Sequence, residues 1–353
     1  MRPSAAPLGG PPLGGPSLGG PSLGASLVQV ALTLLLMLGL SGCAAEPAPR
    51  KPVRESNALW LGVEWLHAPQ TAAAITALAA DLERRHIDRI YVYATYLRAD
   101  GTFSPTYEHA ADFTRQLRAA YPGASIQAWM GLPLAHTTPL SNIAGHVQLD
   151  DAPTRAQIVA LGTALLAQGR FDGLHLDPEP VRSGDAALLQ LLAELRAACP
   201  PEATLSIAAR RIALAPALAE LDALAWYAWS PAYYGAVARQ VDEIAVMTYD
   251  SALPLASLYW RFVRRQVIVA TRTLAGEDVR LYMGVPTSEE RTLTHWPRAE
   301  NMTSGLEGVL AGLEARRAVP DALTGVAIYP HWETDEAEWA VYEGLWLRGA
   351  AGR

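Results

Sequence analysis

Two carboxylates two residues apart at the end of an apolar run are where chemistry first becomes possible in this chain. The run is FDGLHLDPEP, residues 171–180. Side chains alternate along a strand, so Gly173, His175, Asp177 and Glu179 share one face while Leu174, Leu176 and Pro178 share the other. Carboxyl groups set in a cleft take up and deliver protons. A helix cap or an ion pair with Arg182 would account for Glu179 alone, but not for a polar row three residues long. Pro178 and Pro180 have no N–H to give a ladder, which predicts that regular pairing stops after Asp177 and leaves Glu179 at a carboxyl-end rim.

The elements that must position this row repeat along the chain. Strands are predicted over Leu59–Trp65, Ile87–Tyr93, Ser125–Gly131, Gly173–Asp177, Leu205–Ala209, Glu243–Tyr249, Arg280–Val285 and Gly325–Tyr329. Between them, apolar residues at three- and four-residue spacing predict helices over Thr71–Arg85, Thr154–Gln168, Ala186–Ala198, Ala256–Leu274 and Glu333–Leu347. Eight such units over residues 57–348 predict an α/β fold, the (β/α)8 TIM barrel, which typically takes about 250 residues and keeps its chemistry at the carboxyl ends of the strands. An open doubly wound sheet is the other arrangement of alternating elements, but no glycine-rich phosphate loop follows the first strand.

Asp172-Gly173-Leu174-His175-Leu176-Asp177-Pro178-Glu179 resembles the fourth-strand signature of glycoside hydrolase family 18, Asp-Gly-x-Asp-x-Asp-x-Glu, the family of chitinases and endo-N-acetylglucosaminidases. Only His175 departs from it. LSIAA at 205–209, VMTYD at 246–250, YMGVP at 282–286 and GVAIY at 325–329 look like the fifth to eighth strands of the same family, in order. The resemblance implies a glycosidase acting with retention on a β-linked glycan of N-acetylated amino sugars, with no cofactor. It implies Glu179 as the acid, Asp177 as the acceptor for the acetamido N–H, Tyr249 as the holder of the acetamido carbonyl and Asp250 as a sugar ligand. The substrate's own acetamido oxygen would be the nucleophile. His175 in the family's middle-acid position is expected to reach Asp177 as an imidazolium. Tyr329 stands where the family has a tryptophan, with Trp332 three residues on as a substitute, and Trp65, Trp129, Tyr249 and Trp332 are expected to stack on sugar rings. The competing expectation is a glycan-binding or scaffolding protein on a degenerate barrel of this family, which the retained Glu179 opposes and His175 favours.

The chain has 353 residues, a formal charge of −7 and 18% charged residues. An acidic chain with a single lysine, Lys51, and no dense basic cluster argues against a nucleic-acid partner. His67, His136, His146 and His331 are isolated, so no metal site is expected. Residues 1–43 differ from the rest: a Gly- and Pro-rich repeat from Pro7 to Ser26 cannot pack a core, and the 14-residue apolar run Leu27–Leu40 suits a signal-peptide core better than a membrane span. Leu40-Ser41-Gly42-Cys43 resembles a bacterial lipobox. It implies Cys43 as the lipidated first residue of an extracytoplasmic, membrane-anchored lipoprotein, with residues 44–56 as a tether. Cys199, the only other cysteine, then has no internal disulfide partner.

Overall fold

Apolar side chains are partitioned into two sets by the direction in which each strand residue points. In the computed structural model, which describes residues 56–138, 141–143, 145–214 and 225–348, eight parallel strands close into a barrel. They are β1 (Asn57–Leu61), β2 (Ile87–Tyr96), β3 (Ser125–Pro133), β4 (Gly173–Glu179), β5 (Thr204–Ala209), β6 (Glu243–Val246), β7 (Arg280–Pro286) and β8 (Gly325–Tyr329). Each pairs with its neighbours in chain order, and β8 returns to β1 with Ala58 opposite Ala327 and Leu59 opposite Ile328. The chain is thus a (β/α)8 TIM barrel.

The helices are α1 (Ala72–Arg84), α2 (Ala110–Ala120), α3 (Ala152–Gly169), α4 (Ala186–Ala198), α5 (Pro231–Ala238), α6 (Ala256–Thr273), α7 (Met302–Leu313) and α8 (Glu336–Val341). Local sequence starts several of them. Thr71, Asp151, Asp185, Ser230 and Asn301 each accept a backbone N–H of the first turn through their side chain, satisfying a donor the helix leaves free. Outward strand residues such as Leu174, Leu176, Ile207, Ile244 and Val285 form one continuous core with the helices. Inward residues Ala58, Trp60, Tyr91, Trp129, Ala245, Tyr282 and Ala327 form a second, inside the barrel.

Several predicted boundaries move. The first strand ends at Leu61, and Glu64–His67 is a single helical turn beyond its carboxyl end that carries Trp65 between Phe113 at 5.8 Å and His331 at 6.2 Å. The sixth strand ends at Val246, which leaves Tyr249 and Asp250 in the loop beyond it. Pairing of β4 stops on one side only: towards β5 it ends at Leu176 opposite Ile207, while towards β3 it runs on to Glu179 opposite Pro133. On that side Leu134 N–H donates to the Glu179 carbonyl at 2.8 Å, a bond that the prolines do not interrupt. The helix predicted over Glu333–Leu347 is broken into a 3-10 turn, α8 behind an Asp335 capping box, and a π-helical segment Tyr342–Arg348. The expected signal segment, Cys43 and nearly all of the expected tether lie outside the described residues.

Candidate active site

The inward face of β4 runs from the floor of the barrel to its mouth, and each step adds a side chain with a different partner. His175 has no exposed surface. Trp60 Nε1–H donates to its Nε2 at 3.1 Å, Ser206 Oγ lies 2.7 Å from its Nδ1, and the Tyr91 ring stacks on it at 3.7 Å and 10°. An indole N–H can only donate, so Nε2 is the acceptor and the ring proton sits on Nδ1. Burial holds this imidazole well below its ordinary pKa. His175 is therefore neutral and spends both nitrogens on Trp60 and Ser206, which corrects the expectation of an imidazolium bonded to Asp177, and its lack of exposed surface also removes it from the sugar-binding set.

The polar contacts continue downwards. The Ser206 hydroxyl donates to its nearest acceptor, the Gln127 amide oxygen, and Gln127 Nε2 donates to Glu243 Oε2 at 2.7 Å. Glu243 Oε1 accepts from Arg89 Nε at 2.8 Å and Arg280 Nε at 2.9 Å. These side chains come from β2, β3, β5, β6 and β7, and a fully buried carboxylate with two guanidiniums is compensated in charge.

Above His175, Asp177 Oδ2 accepts from Trp129 Nε1–H at 3.0 Å, while Oδ1 is buried with no hydrogen-bond partner. Burial, then the nearby Glu179 charge, pushes the Asp177 carboxyl well above the usual carboxylate range. Trp129 is 7% exposed and edge-on to Tyr93 at 4.7 Å. It orients Asp177 instead of offering a ring face to solvent, because a buried indole N–H needs an acceptor. Tyr249 and Tyr329 stack on each other at 4.9 Å and 9°, each edge-on to Trp60 below. Trp332 lies 5.9 Å from Tyr329 in a T-shaped contact. A side chain at Gly284 would place its Cβ 2.9 Å from Tyr249 Cε1 and 2.7 Å from the Val246 carbonyl, so glycine there makes room for the tyrosine.

Glu179 stands at the rim with 40% of its side chain exposed, 3.6 Å from Arg210 Nη1. Asp250 occupies a left-handed backbone conformation at φ 54°. Loss of hydration among the loop walls, then Glu300, raises its carboxyl to about 6, an effect tempered because half of the side chain is open to solvent. Behind it, His295 Nδ1 lies 3.6 Å from Asp250 Oδ1 and 3.5 Å from Glu300 Oε2, and Ser251 donates to Glu300 through its hydroxyl at 2.8 Å.

Asp177, Glu179, Tyr249, Asp250, Tyr329 and Trp332 are thus brought to one end of the barrel, with Trp129 beneath Asp177. Sequence reasoning missed Trp60, Ser206, Arg210, Arg211, His295 and Glu300. Arg210-Arg211 carried a signal, a charge pair directly after the LSIAA strand; His295 and Glu300 carried none, since their loop meets Asp250 only in space.

No protein-family model matches the chain, and no curated protein matches it by sequence. Solved structures do match in fold. The spore cortex-lytic enzyme SleL of Bacillus cereus is 12% identical at a TM-score of 0.55, over 90% of this chain and 83% of that one. A class V chitinase of Pseudomonas fluorescens Pf-5 is 15% identical at 0.56, over 83% and 99%. A family 18 chitinase of Cycas revoluta in complex with (GlcNAc)3 is 14% identical at 0.52, over 84% and 99%. At these identities the likeness is one of fold, a (β/α)8 barrel similar to those of these glycan-cleaving enzymes.

Proposed function

We propose that this chain hydrolyses a β-linked glycan of N-acetylated amino sugars, with retention and with the substrate's acetamido oxygen as nucleophile. The observation that carries the reading is Asp177 Oδ1: a buried carboxylate oxygen without a partner, on the same strand face as a rim carboxyl. An acetamido N–H supplies the missing donor. Accepting it favours ionised Asp177, and the proton that Asp177 releases becomes available to Glu179. In the first step the acetamido oxygen bonds to the anomeric carbon as the glycosidic C–O bond breaks, and Glu179 gives its proton to the leaving oxygen. Charge developing on the oxazolinium is met by Asp177, and the Tyr249 hydroxyl donates to the acetamido oxygen. In the second step water adds to the anomeric carbon, Glu179 takes its proton, and the oxazoline C–O bond opens to restore the acetamide. The SleL and chitinase likenesses support the class of reaction without carrying the residue roles. Asp250 holds a sugar hydroxyl, and Tyr329 and Trp332 contribute aromatic surface at the cleft.

Replacing Glu179 with Gln is expected to lower turnover of a fluorogenic N-acetylglucosaminide by about 100-fold or more while a binding isotherm for the same sugar is retained. Undiminished turnover would remove Glu179 as the acid. Arg210 beside Glu179 favours one other reading, a glycan-binding barrel whose rim carboxylate is engaged by a guanidinium; saturable binding by the unaltered chain without product is its signature. We also propose that Cys43 anchors the chain by lipid outside the cytoplasm, on the strength of the apolar run and LSGC.

A further inference from the structure

The side chains that follow β5 are not accounted for by this chemistry. Arg210 has 18% of its side chain exposed, its Nε is buried without a partner, and its nearest carboxylate, Glu179, lies at 3.6 Å, beyond hydrogen-bond reach. Among the described residues its guanidinium makes no hydrogen bond. Its backbone is nevertheless fixed, because the buried Tyr234 donates its hydroxyl to the Arg210 carbonyl. Arg211 beside it is committed: Nη2 donates to the Asp250 carbonyl at 3.0 Å and the guanidinium lies 5.9 Å from the Phe262 ring. Leaving a guanidinium desolvated and under-bonded costs free energy, and one that leans on the rim carboxyl stands beside the group that must face the leaving oxygen.

We propose that Arg210 is a carboxylate subsite, and that the substrate is an anionic amino-sugar glycan whose own carboxylate takes the guanidinium from Glu179. The inference rests on the hydrolase reading and names its substrate class. A planar guanidinium with unused N–H groups binds a carboxylate in two parallel hydrogen bonds. Drawn to that anion, Arg210 turns away from Glu179 and leaves the carboxyl free to face the leaving oxygen. Two carboxylates meet the description, a lactyl ether on the amino sugar and a ring carboxylate on an alternating uronic acid.

The test uses the full chain and three glycans: a neutral N-acetylglucosamine oligomer, an alternating N-acetylglucosamine and N-acetylmuramic acid strand freed of peptides, and an oligomer alternating N-acetylglucosamine with glucuronic acid. Each acidic glycan is compared with its carboxyl-reduced form. One acidic glycan should exceed its reduced form in kcat/KM by about 10-fold or more, and which one does so identifies the source of the carboxylate. Arg210→Gln should abolish that ratio and Arg210→Lys should keep part of it. Equal rates on acidic and reduced forms, or an Arg210→Gln variant that lowers both alike, would overturn the subsite, and cleavage of the neutral oligomer in that case would leave the hydrolase reading standing. Carboxylate-dependent binding, lost in Arg210→Gln, without cleavage of any glycan would leave the subsite and overturn hydrolysis; neither binding nor cleavage would overturn both.

Discussion

At the scale of single residues, His175 shows what a strand sequence holds and what it omits. The inward direction of His175, Asp177 and Glu179 was legible, because alternation along one strand fixes it. The partners of His175 were not, since they sit 115 residues upstream on β1 and 31 downstream on β5. Its neutral state has a measurable consequence. The folded chain keeps the imidazole unprotonated, whereas the unfolded chain protonates it near pH 6.5. With the folded pKa depressed, this contribution is complete above the unfolded value and is lost as pH falls, by about 1.4 kcal/mol per unit. Glutamine can accept from Trp60 and donate to Ser206, so His175→Gln should flatten the acid-side fall in urea stability by about one proton. Equal slopes for the two proteins would mean that the buried ring is already charged in the fold. No alkaline loss of activity is expected from His175, in contrast to the imidazolium reading of the sequence.

At the scale of elements, the eight strands were legible because each is short, apolar and separated from the next by a helical period. Their ends were not, because an end is set by the neighbour. The sixth strand stops at Val246, and the residues beyond it are held by β5 and β7: Met247 N–H donates to the Ala209 carbonyl, while Thr248 donates to the Gly284 carbonyl. Tyr249 thereby turns over Gly284, in a space no Cβ shares. Gly284→Ala is expected to destabilise the fold by about 1–3 kcal/mol in urea unfolding, and to lower turnover in the surviving folded protein by displacing Tyr249. A variant with full stability and full turnover would show that Tyr249 does not need this position. The break in the last predicted helix is similarly a matter of neighbours. Tyr342 donates its hydroxyl to the Arg85 carbonyl at 2.8 Å and Trp346 Nε1–H donates to Asn57 Oδ1 at 2.8 Å, tying the π-helical segment to the chain's first strand and first helix.

At the scale of the whole molecule, the closure of the barrel followed from counting units, since right-handed β/α units of this number return to their start. The arrangement of its interior did not, because every layer mixes residues from strands far apart in sequence. The proposed leader is a separate matter of composition. Mass spectrometry of the chain purified from its source cells is expected to find a diacylated or triacylated Cys43 as the first residue; an unmodified chain beginning before Leu27 would exclude that processing. The buried row from Trp60 through His175, Ser206 and Gln127 to Glu243 begins at a group that can only give a hydrogen and ends at a carboxylate that accepts from two arginines. A Grotthuss wire requires every member to receive a hydrogen on one side and release it on the other, then turn over to reset. The indole of Trp60 forbids the first move. For proton current this row is therefore a plugged conduit, and the proton that Asp177 and Glu179 pass between them is renewed through the open mouth, along with the sugar.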